Sequence, residues 1–311
     1  MLRIAAARVP QALATLLLLS LAGWFAVGAM PGDPVALALT MDPRLTAEDA
    51  ARMRALHDLD RPLLARWASW AEGVALRGEF GHSRLYARPV ADVLPPALRA
   101  TLVLLGAALA LAAGLGVALG VLAAVRPRAG PWVDALCVLG AATPAFWLGI
   151  LLILLFAVTL GWLPAGGASD GGWPDEARYL VLPVATLAVA NLAAYARQTA
   201  AGMAEALAQP WARAARARGA SEARVAWRHA LPNAAVPLLA VAAVDAGALV
   251  SGAVVTEAVF ARPGMGRLLY EAVMGGDLNL ALVALLLVAA VTLAASLAAD
   301  LAQVALDPRL R

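Results

Sequence analysis

The chain has 311 residues, 62% of them hydrophobic and only 14% charged, with a mean hydropathy of +0.78. Soluble domains carry about a quarter charged residues, so this composition excludes an ordinary water-soluble globule and points to the bilayer as solvent. The formal charge of +3 is carried by arginine, because no lysine occurs, and the single cysteine, Cys137, excludes an intrachain disulfide framework.

Crossing about 30 Å of hydrocarbon takes roughly 20 apolar residues. Six runs meet that length, at 11–30, 100–125, 132–160, 179–196, 233–256 and 279–299. The expected fold is therefore an all-α integral membrane protein with six transmembrane helices. An even number of crossings puts both termini on one side.

Residues 1–30 share features of a secretory signal, with Arg3 and Arg8 ahead of an apolar run and small residues near Ala29. A signal's apolar region is normally about 7–15 residues, whereas this one is longer and carries Trp24 and Phe25 near its far end, so it reads as a first transmembrane helix. The next segment, 31–99, mixes acids and arginines almost evenly. Leu56, Leu59, Leu63, Leu64, Trp67 and Trp70 recur at helical spacing around a break at Arg61-Pro62, which predicts short surface helices with seams at Asp33-Pro34 and Pro95-Pro96. The alternative is a plain spacer between two spans.

The second span contains Gly116 and Gly120 at GxxxG spacing, a pattern that lets helices approach closely. Cys137, in the third span, reads as lipid-facing or packed filler. Asn191, in the fourth, serves either a translocation path or a bond between helices.

Between the fourth and fifth spans lies WARAARARGASEARVAWRHALP, Trp211 to Pro232, with five arginines and a histidine. Pro210 suits a helix's first turn, and Gly219 suits the left-handed residue that ends one. Arg213 and Arg216 fall on one face of that helix, with Trp211, Ala214 and Ala215 toward another. Ser221 is placed to cap a second helix, and Glu222 suits its first turn. The result is a helix, a glycine corner and another helix. One reading is that the arginines only enforce topology and touch anionic lipid; the other is a docking knob for a partner protein.

Within the fifth span, Asp245 stands out, since a carboxylate there costs about 2.5–3.5 kcal/mol on insertion scales. It reads either as lining a substrate path, where it would favour a cationic group, or as a structural hydrogen bond to another span. Thr256 is a weaker path candidate at that span's end. Arg262-Pro263-Gly264-Met265-Gly266 then forms a tight turn before the sixth span, with glycine where backbone angles demand it.

Arginine position sets orientation when loops are short. Arg3, Arg8, Arg126, Arg128, Arg197, Arg213, Arg216, Arg218, Arg224, Arg228, Arg309 and Arg311 all fall on one side, against Arg178, Arg262 and Arg267 in the opposite short loops. Both termini and the basic segment are thus expected in the cytoplasm.

Glu205-Ala206, Ala215-Arg216-Ala217-Arg218-Gly219, His229-Ala230-Leu231-Pro232-Asn233 and Pro237 together resemble the EAA loop of binding-protein-dependent ABC importer permeases. The resemblance extends to the dipeptide and oligopeptide branch, which also includes nickel carriers. It rests on PGDP at Pro31–Pro34, LDRP at Leu59–Pro62, GEFGHS at Gly78–Ser83, RPV at Arg88–Val90, ATL at Ala100–Leu102, TEAVFARPGMGRLL at Thr256–Leu269 and DPRLR at Asp307–Arg311. Gln209-Pro210-Trp211 departs from the family's more usual acidic residue followed by an aromatic one.

The resemblance implies the type I ABC importer permease fold, in the cytoplasmic membrane of a bacterium or archaeon. It divides the chain into a first transmembrane helix (1–30), an extracytoplasmic helical loop (31–99) and a five-helix core (100–311) with its coupling loop at 202–232. Glu205, Ala206, Arg213, Arg216, Ala217, Arg218, Gly219 and His229 would belong to the loop that seats a helix in an ATPase cleft. The turn at Arg262, Pro263, Gly264 and Gly266, like the long first loop, would lie at the face visited by a substrate-binding protein. Implied partners are a homologous second permease, two cytoplasmic ATPases, that binding protein and the lipid bilayer, with no nucleic acid. ATP and Mg would be bound by partners and no cofactor by this chain. Relatives in the branch carry peptides, metal complexes, glutathione or sugars.

The remaining function classes follow from absent chemistry. A P-loop needs the lysine of GxxxxGK[ST], and this chain has no lysine. Intramembrane hydrolysis would need a nucleophile beside a base. Ser251 lies within a span while His57, His82 and His229 fall in loops or at an edge, and no HExxH or Cys/His metal spacing occurs. An ion-coupled transporter acting alone, with Asp245 as its relay, and a membrane scaffold stand as alternatives.

Overall fold

The computed structural model describes residues 2–28 and 61–306. Asp33-Pro34, Leu56, His57, Leu59 and the closing DPRLR lie outside the described residues, as do the side chains of Asp245 and Ser251. Every long element among the described residues is helical, as the apolar runs predict.

Helix α1 spans Leu2–Gly28, and α2 spans Leu63–Glu72, starting directly after Pro62 and extended by a π-helical turn at Gly73–Arg77. A hairpin of β1 (His82–Ser83) and β2 (Arg88–Pro89) pairs His82 with Pro89 and Ser83 with Arg88, antiparallel. Then come α3 (Val90–Val125), α4 (Gly130–Ala142), α5 (Ala145–Leu152, prolonged as a π-helix over Ile153–Thr159) and α6 (Trp173–Ala208). They are followed by α7 (Pro210–Ala217), α8 (Glu222–Arg224, running through a π turn at Val225–Ala230) and α9 (Leu231–Val259), and finally by α10 (Met265–Met274) and α11 (Leu278–Leu306).

Four stretches are each long and apolar enough to cross a membrane: Arg8–Ala26 in α1, α3, α6 and Leu278–Ala298 in α11. The expected span 132–160 is not one straight helix. It is broken into α4 and α5 with a bend of 100°. Pro144 has no N–H to continue the ladder, and it drives Thr143 into an extended conformation, φ −88° and ψ 120°. The 29-residue α9 covers the fifth expected span.

Pro95-Pro96, expected as a seam, instead lies inside α3, which starts at Val90 with Pro89 as its cap. The prolines free only the carbonyls of Ala91 and Asp92, both exposed at the helix start, so the helix continues through them.

Long helices alternate in direction. Trp24 Nε1 donates to the Leu63 carbonyl at 3.2 Å, and Trp70 Nε1 to Asn279 Oδ1 at 3.3 Å, which brings the end of α1, α2 and the start of α11 together. At the other end Arg8 and Asp300 form an ion pair at 2.8 Å, so α1 begins where α11 finishes. The ends of α3 and α6 meet the start of α9 there, through Val121, Met203, Ala206, Ala226, Ala230 and Ala234.

The centre is the packing of α3 on α6. A Cβ on Gly116 would lie 2.5 Å from Tyr195 Cβ, and one on Gly120 would lie 2.6 Å from the Ala196 carbonyl. The GxxxG pair is thus a close-approach site. Cys137 is buried with Val133, Leu192, Ala193 and Ala196, holding α4 on α6 as packed filler.

Candidate functional site: a capped basic elbow and a buried carboxylate network

The basic segment forms at the end where α6 finishes and α9 begins. Pro210 opens α7 in its first turn. Gly219, at φ +83°, ends it. The N–H of Gly219 donates to the Arg216 carbonyl at 2.8 Å and that of Ala220 to the Ala215 carbonyl at 3.1 Å, the two bonds of a Schellman cap. Ser221 then accepts from the Arg224 N–H at 3.3 Å, capping the helix that follows.

The structure adds an inward face to α7 and changes one expectation. The inward face of α7 is Ala212 and Ala215, packed with Val225, while Ala214 and Trp211 are exposed. Their short side chains let this helix lie close against the π turn. The second helix is not separate: from Glu222 the chain stays helical through the π turn into α9. The elbow is therefore the tip of a long helix.

Arg213, Ala217 and Arg218 are exposed, as are Glu205, Trp211 and Trp227, whereas Ala206 is buried and His229 half-buried. Arg216 reaches across the cap to Glu222, with Nε to Oε1 at 2.7 Å and Nη2 to Oε2 at 3.2 Å. This bidentate bond holds the Glu222 carboxyl below its ordinary value. The outcome is a pinned corner that offers the exposed Arg213, Arg218, Arg224 and Arg228 and two indole faces to water. Trp227 and the Arg216–Glu222 pair were missed in sequence, because both depend on how the chain folds back at Gly219.

The opposite end is organised by carboxylates. Glu257, fully buried at 0% exposure, accepts from Thr101 Oγ1 at 2.6 Å, the Gly266 N–H at 2.7 Å and the Arg267 N–H at 3.3 Å. Thr101 in turn accepts from the Met265 N–H at 2.8 Å. A Cβ on Gly264 would collide with the Glu257 carboxylate, and one on Gly266 with the backbone of Val254. Both glycines are required by close approach. Arg262 is buried and pairs with Glu176 of α6 at 2.6 Å, and the exposed Pro263 follows it.

Nearby, Asp277 accepts from Ser83 Oγ at 2.6 Å, the Leu85 N–H at 3.0 Å and the Leu280 N–H at 3.2 Å, which pins the GEFGHS hairpin to the start of α11. Tyr86 donates to Glu271 at 2.8 Å, and burial together with that carboxylate pushes its phenol up to about 12. At Glu271 burial acts to raise the pKa, but bonds from Arg267 and Tyr86 outweigh it and the carboxyl titrates low. Sequence reading passed over Glu257, Glu176, Asp277 and Glu271. An acid directly after the fifth apolar run was the available signal for Glu257.

The path candidates do not converge into one cluster among the described side chains. Asn191 donates to the Leu187 carbonyl one turn back at 2.8 Å. Thr256 is buried and donates to the Gly252 carbonyl at 3.0 Å. Asp245 lies on α9, with its side chain outside the description. Among the described residues no group of three or more His, Cys, Asp or Glu has metal-holding geometry.

With this geometry in hand, known proteins provide a comparison. The family model "Binding-protein-dependent transport system inner membrane component" matches residues 116–311. A Brucella ovis protein whose name assigns it to peptide permeases is 34% identical over 100% of this chain and 99% of its own length. The oligopeptide transport system permease protein AppB of Bacillus subtilis is 30% identical over 91% of this chain and 90% of its own. Among solved structures, a chain of the MetNI methionine ABC transporter in an inward-facing conformation matches with a TM-score of 0.55 and 21% identity, over 67% of this chain and 93% of that one.

Proposed function

The chain belongs to the binding-protein-dependent transport system inner membrane components, and from that premise we propose that it is the peptide-importing permease half whose Gly219 elbow receives force from an ATPase. It is a multi-pass membrane permease subunit. In our reading it crosses the membrane six times, with the bent α4/α5 pair as the third crossing and both termini in the cytoplasm. A homologous second permease completes the path, two ATPases hydrolyse ATP with Mg at the inner face, and a binding protein delivers substrate at the α10 face.

The observation that carries this reading is the elbow itself: α6 and α9 converge on a short helix whose alanines hold it to the body while Arg213, Arg218, Trp211 and Trp227 face outward. Lipid contact alone needs no cap and no bidentate lock. A protein cleft needs both, because a mobile knob transmits no force. When the ATPases close, the elbow moves with them and α6 and α9 tilt, switching the path between its two openings. This is alternating access, with the permease supplying lever and path.

Peptide as substrate is supported by the names of the Brucella ovis and Bacillus subtilis relatives. Asp245 lines the path and favours the peptide's cationic amino terminus. The test is uptake by the reconstituted complex, with its ATPases and binding protein, of peptides with free and with acetylated amino termini. Asp245→Asn should lower uptake of the free form selectively. An unchanged preference in a normally assembled complex removes Asp245 from the path, and transport by the purified chain alone in liposomes would replace the importer reading with an ion-coupled carrier.

A further inference from the structure

The two helices that meet at the elbow are antiparallel and joined covalently only there. Along their length they touch where a Cβ on Gly202 would lie 3.0 Å from Ala234 Cβ, and where one on Gly252 would lie 3.6 Å from Leu187. Two rods hinged at one end and pushed there will scissor unless the far ends are tied. At the far end α6 begins at Trp173 and α9 ends at Val259, with no chain connection between them.

A tie is present. Arg262, three residues beyond α9 and 3% exposed, pairs through Nη2 with Glu176 Oε1 at 2.6 Å. The other Glu176 oxygen accepts from the Ser169 N–H at 2.8 Å. The Arg262 N–H donates to the Glu257 carbonyl at 2.8 Å, and the Gly167 N–H donates to the Phe260 carbonyl at 2.7 Å. Glu257 extends the tie to α3 through Thr101. Arg262 Nε and Nη1 are buried with no hydrogen-bond partner among the described residues, so Glu176 is the ion partner the structure gives that guanidinium. With Arg262 buried and Glu176 half-buried, the pair is screened less than a surface pair, and loss of Glu176 leaves the buried guanidinium without its ion partner.

We propose that the Glu176–Arg262 pair is a clasp that makes α6 and α9 one rigid lever, so that motion at the elbow reaches the opposite face as a tilt rather than being lost as scissoring. Both residues are positioning residues; neither touches the transported molecule. The inference rests on the importer reading above, since the lever has meaning only if force enters at the elbow.

The experiment uses the complete complex with ATPases and binding protein in proteoliposomes. Spin labels are placed on cysteines at the exposed Trp173 and Pro263 in a Cys137→Ser background. In the otherwise unchanged chain the label separation should be the same with and without ATP. In Glu176→Gln the distribution should broaden on ATP addition, and transport per ATP hydrolysed should fall roughly tenfold, within the usual range of coupling energies, while ATPase copurification persists. A separation that changes with ATP in the unchanged chain overturns the clasp, as does a Glu176→Gln complex with normal transport per ATP. If Glu176→Gln fails to assemble, the separation in the unchanged chain decides alone. Failure of the unchanged chain to copurify with any ATPase would instead refute the importer reading.

Discussion

Gly219→Ala isolates the conformational part of the elbow from every other effect. Gly219 sits at φ +83°, and a Cβ built there meets nothing within 4 Å, so the substitution adds no clash. What remains is the cost of placing an L-residue in the left-handed region, about 1–2 kcal/mol. The turn relieves that strain only by giving up the bonds from Gly219 to Arg216 and from Ala220 to Ala215, and with them the approach of Glu222 to Arg216. A cost of this size shifts the capped population by about 5–30-fold. Amide exchange at Ala220 should rise by that factor in the purified permease, and affinity for the ATPase should fall in step. Gly219→Asn should fall in between, because Asn tolerates the left-handed region better than Ala. Unchanged exchange and unchanged ATPase affinity in the Ala variant would refute the argument that the left-handed corner sets the docking geometry.

Glu257→Gln replaces an all-acceptor group by one that turns an NH₂ toward the Thr101 hydroxyl or the Gly266 and Arg267 amides; a buried mismatch costs about 1–3 kcal/mol, which should appear as a lower unfolding temperature in detergent. Gly120→Val should be worse tolerated than Gly106→Val, because a side chain at Gly120 meets the Ala196 carbonyl whereas one at Gly106 meets nothing within 4 Å; overpacking of this kind costs about 1–3 kcal/mol, to be read from the same melting curves. The Glu222 carboxyl is held below its ordinary 4.5 by Arg216, so its contribution to the elbow is present above that value and disappears as pH falls through the lowered one. Exchange at Ala220, corrected for its intrinsic pH dependence, should therefore stay flat from neutrality to about pH 5 and rise only in stronger acid. Arg216→Gln should abolish that acid step.

Much of this architecture was readable in the sequence because the bilayer imposes a length on apolar runs. Pro210, Gly219 and Ser221 announced a helix, its end and the next start, since each has a backbone preference independent of the rest of the chain. Pro144 and Pro95-Pro96 show the limit: all three were visible, yet only Pro144 breaks its helix. Prolines five and six residues after a helix start cost little, whereas Pro144 leaves Thr143 extended; Pro183, carried inside the unbroken α6, shows that position in a run does not decide the outcome alone. The carboxylate network was least legible, because Glu257, Thr101 and Glu176 are separated by long stretches of chain and only the fold brings them together. Which face of α7 turns inward was not legible either, since in a short helix of alanine and arginine the packing of Val225 in the neighbouring π turn selects the buried side.

The central claim is that force from nucleotide hydrolysis in other polypeptides enters through the elbow, and site-specific photocrosslinking in the assembled, transporting complex tests it most directly. A crosslinking side chain at Arg213 or Arg218 should capture an ATPase subunit, while one at Trp173 or Pro263 should not. Capture of lipid alone from the elbow positions, in a complex that still couples ATP hydrolysis to uptake, would contradict the account.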